Sequence, residues 1–513
     1  MKTFLARFAS FIHFVLSGFD RLRFRGASIL LSNNRGVDSY LYRENIRYLD
    51  FTDHCKQLTR ILVQETDKLA AAQGVPVKHL HSAKINKEAT ALELAANQPC
   101  AAPNGRIALL TAVEPCRSYT LRKNNEGRVY PVKEENKCKH YYHYFQHPEL
   151  GLCYVRVQTY FPFTIHVGMN GRRWLFQQLR NRHVEFQHRG NLLLGVADVP
   201  LAQQIMDAQV HADYVKILSE LVEPLQPLAE QLRPYPYYWV AEQTEWANDF
   251  LFHSPEDLAR WYKRWIRHGI DNLNCTDVMK FLGKKNPKAC CNEAKIDLND
   301  RHEGTRLKFW YANNSLKMYD KEGISFRPET TINQPKEFKV FRKSANPAED
   351  EEPQWRIMRK GVADMERRAE VSQASNNRLL ESMATVADTT TLGELLKPLG
   401  KPVIKDGKRR IRALNPLTGK DGDLLRLLAS GDFLIKGFRN ADVREALHGK
   451  TEDTKERRRQ SAAVTRLFAL LRGHGLIVKV QKSHRYHLSA AGRRTVTALL
   501  TAHGCDATRL AAG

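Results

Sequence analysis

No run of 18 or more uncharged apolar residues occurs in the 513-residue chain, which excludes an ordinary membrane-spanning helix and a membrane partner. Cysteine is scarce and unpatterned. The nine, at 55, 100, 116, 138, 153, 275, 290, 291 and 505, are odd in number and lack framework spacing, so reduced thiols in a cytoplasmic protein are expected rather than a disulfide scaffold. Acidic residues are also short, 56 against 80 Lys plus Arg. The resulting net charge of +24 points to a polyanionic partner, and to nucleic acid in particular, because no basic amphipathic anchor is visible. No repeat of 20 to 50 residues recurs. The start pairs Lys2 and Arg7 with an apolar patch, Phe8 to Phe19, in the outline of a signal peptide. His13 interrupts that patch and no Ala-x-Ala site follows, so a buried first element is expected.

What the chain does contain is core material. Hydrophobic residues make up 42% and aromatic residues 9%, enough for three or four folding units. The expected fold class is α+β: a multidomain, mixed sheet-and-helix body followed by a winged helix-turn-helix. Residues 1–240 read as an α+β body with aromatic-rich strands, and 241–345 as a helical segment and β-hairpin region. Residues 346–419 read as a solvated helical connector with a basic linker, and 420–513 as the winged helix. Within the body, Phe14–Arg25, Ile107–Val113 and Leu152–Met169 have the pattern of strands, the last with a break or bulge at Pro162. Asn45–Gln73 and Leu201–Leu232 have helical periodicity, and Ser254 before Pro255 is a helix cap.

Charge concentrates at the carboxy terminus. Residues 401–513 hold 24 Lys plus Arg against 10 Asp plus Glu, which is +14 of the total. Short amphipathic helices at Leu424–Leu428 and Asn440–Leu447 precede a longer one beginning near Lys455, whose apolar stripe is Val464, Leu467, Phe468 and Leu471. After Gly475 come two short strands around a polar turn, and Ser489 caps a last helix. Val464–Val496 resembles bacterial winged-helix transcription regulators in Leu-Leu-Arg-Gly-His-Gly-Leu-Ile, Arg-Tyr-His-Leu and Ala-Ala-Gly-Arg-Arg. The resemblance implies DNA against the third helix, through Arg457, Arg458, Arg459, Gln460, Ser461, Thr465 and Arg466, with Lys482, His484 and Arg485 on the wing. The same basic residues also suit a solvated face on a protein-docking winged helix.

Further upstream, Arg306–Gly323 and then Phe326–Ile332 read as successive strands with a turn at Gly323. Tyr319-Asp-Lys321 followed by Arg327-Pro-Glu329, together with Phe19-Asp-Arg-Leu-Arg-Phe24, resembles the rolling-circle replication initiators of plasmids and filamentous phages. That resemblance implies a tyrosine nucleophile, Tyr311 or Tyr319, with Lys321 as charge stabiliser and Asp20 and Glu329 as ligands of Mg²⁺ or Mn²⁺. A phenol of pKa near 10 needs such a cation to attack at neutral pH. The wider superfamily's His-hydrophobic-His motif is missing, because His79-Leu80-His81 runs into Ser82-Ala83-Lys84. A plain hairpin with core tyrosines and a structural Lys–Glu pair fits the same residues. Asp20 alone also suits the first acid of an RNase-H-like site.

Two weaker patterns remain. Cys138-Lys-His140-Tyr-Tyr-His143, with Cys116 and Cys153, matches no closed four-ligand spacing, so zinc is not expected. The aromatic residues of His140–Phe145 and Tyr154–His166, interleaved with Lys139 and Arg156, have the chemistry of a platform for unpaired bases, or of an ordinary core. Stretches such as Val15–Gly26 and Phe338–Arg342 resemble a multicopy bacterial family associated with mobile elements, a likeness that carries over no activity. The leading expectation is therefore a mobile-element DNA-binding protein that nicks and joins DNA. A winged-helix transcription regulator with an inert or dimerising body, and an RNA-binding protein, are the alternatives.

Overall fold

A computed structural model describes residues 1–28, 30–82, 84–98, 102, 105–228, 237–273, 281–283, 295–301, 304–343, 352–387, 392–405, 409–429, 433, 437–480 and 483–504. Its strands and helices make an α+β protein, as expected. In chain order the strands are β1 (Ile12–Ser28), β2 (Val77–Leu80), β3 (Arg106–Lys123), β4 (Val129–His147), β5 (Gly151–Gln158), β6 (Ile165–Asn170), β7 (Phe186–Arg189), β8 (Leu192–Val196), β9 (Tyr237–Phe252), β10 (Lys295–Arg301), β11 (Gly304–Tyr311), β12 (Asn314–Lys321) and β13 (Ser325–Ile332). Strands β10-β11-β12-β13 lie side by side in that order, as do β9-β1-β6-β5-β4-β3-β2, and β7 and β8 pair as a separate hairpin. No helix among the described residues is long and apolar enough to cross a membrane.

The chain divides into two compact units. One comprises Met1–Val15, Phe250–Thr330 and Gln373–Gly513, and the other Leu16–Asp249 and Thr331–Ser372. Neither is a continuous stretch, so compactness does not follow a linear division of the sequence.

In the first unit the N-terminal helix Lys2–Phe8 buries Phe4 and Phe8 fully. They pack against Trp265, which also lies 4.4 Å, centroid to centroid, from Phe326. The helix Pro255–Asn272 supplies that tryptophan on the stripe Leu258, Tyr262, Trp265, and the Ser254 side chain caps it by accepting from Asp257 N–H. At Gly269 a Cβ would stand 2.5 Å from Leu307, so glycine lets this helix approach β11.

The second unit's core lies on one face of β1, β6, β5 and β4, where Phe24, Val167, Val155 and Tyr141 meet helices Asn34–Arg43 and Phe51–Ala72. Several expectations are corrected here. The helix expected from Asn45 begins at Phe51, because Asn45 takes φ 55° and ends the preceding helix. Leu152–Met169 is two antiparallel strands, β5 and β6, because the chain reverses at Pro162-Phe163 and Cys153 pairs with Met169. Leu201–Leu232 breaks into Val199–Ala208 and Tyr214–Val222, the second capped by Asp213.

Trp355–Met383 is not a solvated connector. Gln354–Ile357 is a strand, and the helix Met365–Met383 buries Arg368, Ser375 and Asn376 completely. The polar residues tolerate burial because each is bonded: Arg368 donates to Ala241 O at 2.8 Å, and Asn376 donates to Pro328 O and accepts from Thr330. At the carboxy terminus, helices Gly419–Ala429, Asn440–His448 and Thr454–Gly473 precede a hairpin of Ile477–Lys479 with Tyr486–Leu488 and a last helix, Ala490–Gly504.

Candidate functional site

Asp20 on β1 is 5% exposed and is held by two amides. Asn170 Nδ2 donates to its Oδ1 at 3.1 Å and Asn191 Nδ2 at 2.6 Å. Asn170 closes β6 and also caps the helix Gly171–Asn181, its Oδ1 accepting from Arg172 and Arg173 N–H. At Gly171 a Cβ would stand 2.1 Å from Phe19 O, so only glycine lets the helix start this close to β1. Arg172, fully buried, then bonds Asp249 by Nε and Nη2, and the carbonyls of Phe19 and Ala247. A short Asn-Gly-Arg segment thereby orients β1 at Asp20.

Glu245 on β9 is also buried, accepting from Gln243 Nε2 at 2.8 Å, with Arg21 Nη1 at 3.9 Å. Glu329 on β13 is fully buried. Its Oε2 accepts from Tyr319 Oη at 2.9 Å, and its Oε1 pairs with Lys317 Nζ at 2.6 Å. Within the second unit, one carboxylate oxygen of Asp20 and one of Glu245 lie within 4.8 Å of each other. Two ionised carboxylates at that spacing repel by about 3.5 kcal/mol at an effective dielectric of 20. Oxygen-only donors of this kind suit a hard divalent cation.

The candidate nucleophiles separate. β11 pairs with β12 so that Tyr311 opposes Asn314, and Arg306 opposes Tyr319. Side chains alternate along a strand, so Tyr311 shares the face of Leu307, Phe309, Leu316 and Met318, all fully buried core residues. Tyr319 shares the other face with Lys317 and Lys321. Lys321 is 4% exposed and on the tyrosine's own face, where a stabilising cation was expected. Sequence reasoning missed Glu245, Lys317 and Asn170. The available signal for Glu245 was a polar run, Glu242-Gln243-Thr244-Glu245, followed by Asn248-Asp249, inside a strand whose remainder is aromatic and apolar.

The carboxy-terminal candidates fall into two groups. Arg457, Arg458 and Arg459 are exposed, Arg459 paired with Glu456, and Arg466 and His484 are exposed too. Ser461 and Thr465 instead hold the helix to its neighbour, and Gln460 bonds within its own helix. Gln460 is 9% exposed and donates to Glu456, while Ser461 donates to Asn440 Oδ1 and Asn440 Nδ2 donates to Thr465. Arg485 donates to Gly437 O. Lys482 lies outside the described residues.

The His-Cys cluster does not converge. His140 and His143 point to opposite faces of β4, and Cys153 lies in the core on the side of His143. Burial and nearby arginines push both imidazoles down to about 3, so they stay neutral. The expected platform rings are covered: Tyr141 and Phe145 are core, and Tyr142 and Tyr144 pack with Ala91 of the helix Lys87–Asn97. Tyr142 Oη donates to Glu114, which Lys87 and Arg156 also contact at 2.9 and 3.2 Å.

No protein-family model matches the chain, and no curated protein matches it. Among solved structures, the crystal structure of the di-domain ARO/CYC BexL from the BE-7585A biosynthetic pathway aligns with 55% of this chain and 99% of its own. Its identity is 8% and its TM-score 0.16, a likeness too slight to carry any argument.

Proposed function

We propose that the chain is a mobile-element DNA-binding protein that nicks and joins DNA with a divalent metal, Mg²⁺ or Mn²⁺, read onto DNA by a carboxy-terminal winged helix. The observation that carries this reading is the buried carboxylate pair Asp20 and Glu245 of the second unit, together with a buried tyrosine hydroxyl of the first unit, Tyr319, bonded to Glu329. When bound, the metal supplies Lewis-acid polarisation of a phosphoryl oxygen. Asp20 and Glu245 would hold it. Tyr319 Oη forms a bond to phosphorus as its proton passes to Glu329. The phosphodiester P–O bond breaks, and the departing oxygen takes that proton as a hydroxyl. The phosphotyrosyl bond keeps the energy for the reverse, joining step. Lys321 steadies the phenolate. The 5% exposure of Tyr319 favours a second reading, in which water rather than tyrosine attacks at the same carboxylates.

The winged-helix reading is supported by the order helix, helix, helix, hairpin, helix and by the exposed Arg457, Arg458 and Arg459. The test is incubation of the protein with labelled single-stranded and supercoiled DNA plus Mg²⁺ or Mn²⁺, beside Tyr319→Phe and Tyr311→Phe. Nicks and a denaturation-resistant adduct are expected for the parent and Tyr311→Phe, with the adduct lost in Tyr319→Phe. Nicks without adduct in all three assign attack to water. Neither nick nor adduct on any substrate overturns the catalytic reading and leaves a reader of nucleic acid.

A further inference from the structure

The second unit's sheet has one face that its core does not cover. On β1, Arg21, Arg23 and Arg25 alternate on this face. They stand opposite Asn170, Gly168 and His166 of β6, and the last two stand opposite Tyr154 and Arg156 of β5. Leu22, Phe24, Val167 and Val155 occupy the other face, in the core. At Gly168 a Cβ would stand 2.1 Å from the Tyr154 ring, so glycine is what lets that ring lie across the floor. Two cavities follow one another along β1. One of about 360 Å³ is lined by Arg21, Arg23, Lys87 and Tyr154, and one of about 550 Å³ by Arg25, Arg117, Lys133, Arg156 and Lys360. Together their walls carry eight cationic side chains against three carboxylates, Glu88, Glu135 and Glu242.

Part of this charge is paired, Arg25 with Glu242 at 2.7 Å and Lys87 and Arg156 with Glu114 at 2.9 and 3.2 Å, and cations remain in excess. Burial, Arg25 and Arg117 depress the Lys133 ammonium, and burial with Arg156, Arg25 and Arg23 holds His166 down to about 3. Arg156 Nε and His166 Nδ1 are buried atoms that bond to nothing in the protein. Such a groove, with cations in excess of its carboxylates and floored by an aromatic ring, has the chemistry that tracks a phosphodiester backbone and stacks an unpaired base.

Resting on the reading of a nucleic-acid enzyme, we infer that this face is the track of a single nucleic-acid strand. Arg23, Arg25, Lys133, Arg156 and Lys360 take its phosphates, and Tyr154 offers a stacking plane. Arg21 and Asn170 lie at one end of the track, where the Asn170 side chain also bonds Asp20.

The test uses the full chain with Arg23→Glu and Lys133→Glu combined, two surface changes, and fluorescence anisotropy over a salt series. The probes are a labelled single-stranded DNA, an RNA of the same sequence, and the DNA duplex. The double variant is expected to bind at least one single strand tenfold or more weakly, with a salt slope smaller by about 1.4, while duplex affinity changes less than twofold. Whichever strand shows the loss, DNA or RNA, identifies the source of the backbone. Unchanged single-strand affinity, or an equal loss on duplex, overturns the inference. If the double variant unfolds, Arg23→Ala read by the same salt slope replaces it, with a decrease of about 0.7 expected and no change overturning the inference. Failure of the cleavage reading is separate: a protein that forms no nick yet loses strand binding in the variant keeps the track and lacks the chemistry.

Discussion

Asn170 bonds Asp20 and caps a helix with the same side chain: its Nδ2 donates to Asp20 Oδ1 at 3.1 Å while its Oδ1 accepts from Arg172 N–H at 2.9 Å. Local chain direction and the orientation of a buried carboxylate therefore depend on one amide. Asn170→Ala is expected to cost about 1–2 kcal/mol in urea unfolding, the loss of a cap plus an uncompensated bond to a buried charge. Asn170→Ser keeps the cap but is too short to reach Asp20. It should recover most of the stability, and equal losses in the two variants would show that the cap is not what Asn170 contributes.

The carboxylates repel in the absence of a cation, so neutralising one should help the metal-free protein. Asp20→Asn and Glu245→Gln are each expected to raise the unfolding temperature in EDTA by about 1–3 °C. The rise that Mn²⁺ gives the parent protein should vanish in both. Variants that lose stability in EDTA yet respond to Mn²⁺ like the parent would remove the metal from this group.

Arg457, Arg458 and Arg459 changed together to Ala should weaken duplex binding at matched salt. The salt slope should fall by about 2, less than three full phosphate contacts because Arg459 is already paired with Glu456. An unchanged affinity would move the duplex site away from this helix.

His140 and His143 are 1% exposed and kept neutral, with pKa values near 3, whereas the unfolded chain titrates them near 6.5. Below pH 6.5 the unfolded state therefore binds more protons. Their contribution to stability is full above that pH and is lost progressively as pH falls toward 3. Each histidine is expected to remove up to about 1.4 kcal/mol per pH unit across the window. Urea unfolding at pH 7, 6 and 5 checks this, and His143→Gln should flatten the dependence. A stability independent of pH over that range would contradict the buried neutral assignment.

Strand periodicity at Phe14–Arg25, the Ser254 cap and the successive strands from Arg306 to Ile332 were legible in the sequence, because each depends on neighbours only a few residues away. Asp20 and Glu329 were singled out through a resemblance to rolling-circle initiators, and the structure shows both buried. Glu245 was not, since a carboxylate inside a strand declares nothing until other strands bring partners to it. Tyr311 and Tyr319 looked equivalent for the same reason: pairing register, not spacing, turns one into the core and the other toward Glu329.

By itself the sequence determined the strongly basic character, the absence of a long apolar helix, the mixed α+β class and the order of elements at the carboxy terminus, all of which follow from composition and local periodicity. Tertiary structure alone decided that the arginine-rich helix Met365–Met383 is buried rather than solvated, that the aromatic rings of β4 are packed into cores, and that Asp20 and Glu245, distant in sequence, come within 4.8 Å of each other. Those outcomes depend on which faces meet across the sheet, and burial becomes tolerable for a polar residue only when a distant backbone carbonyl or side chain is there to bond it.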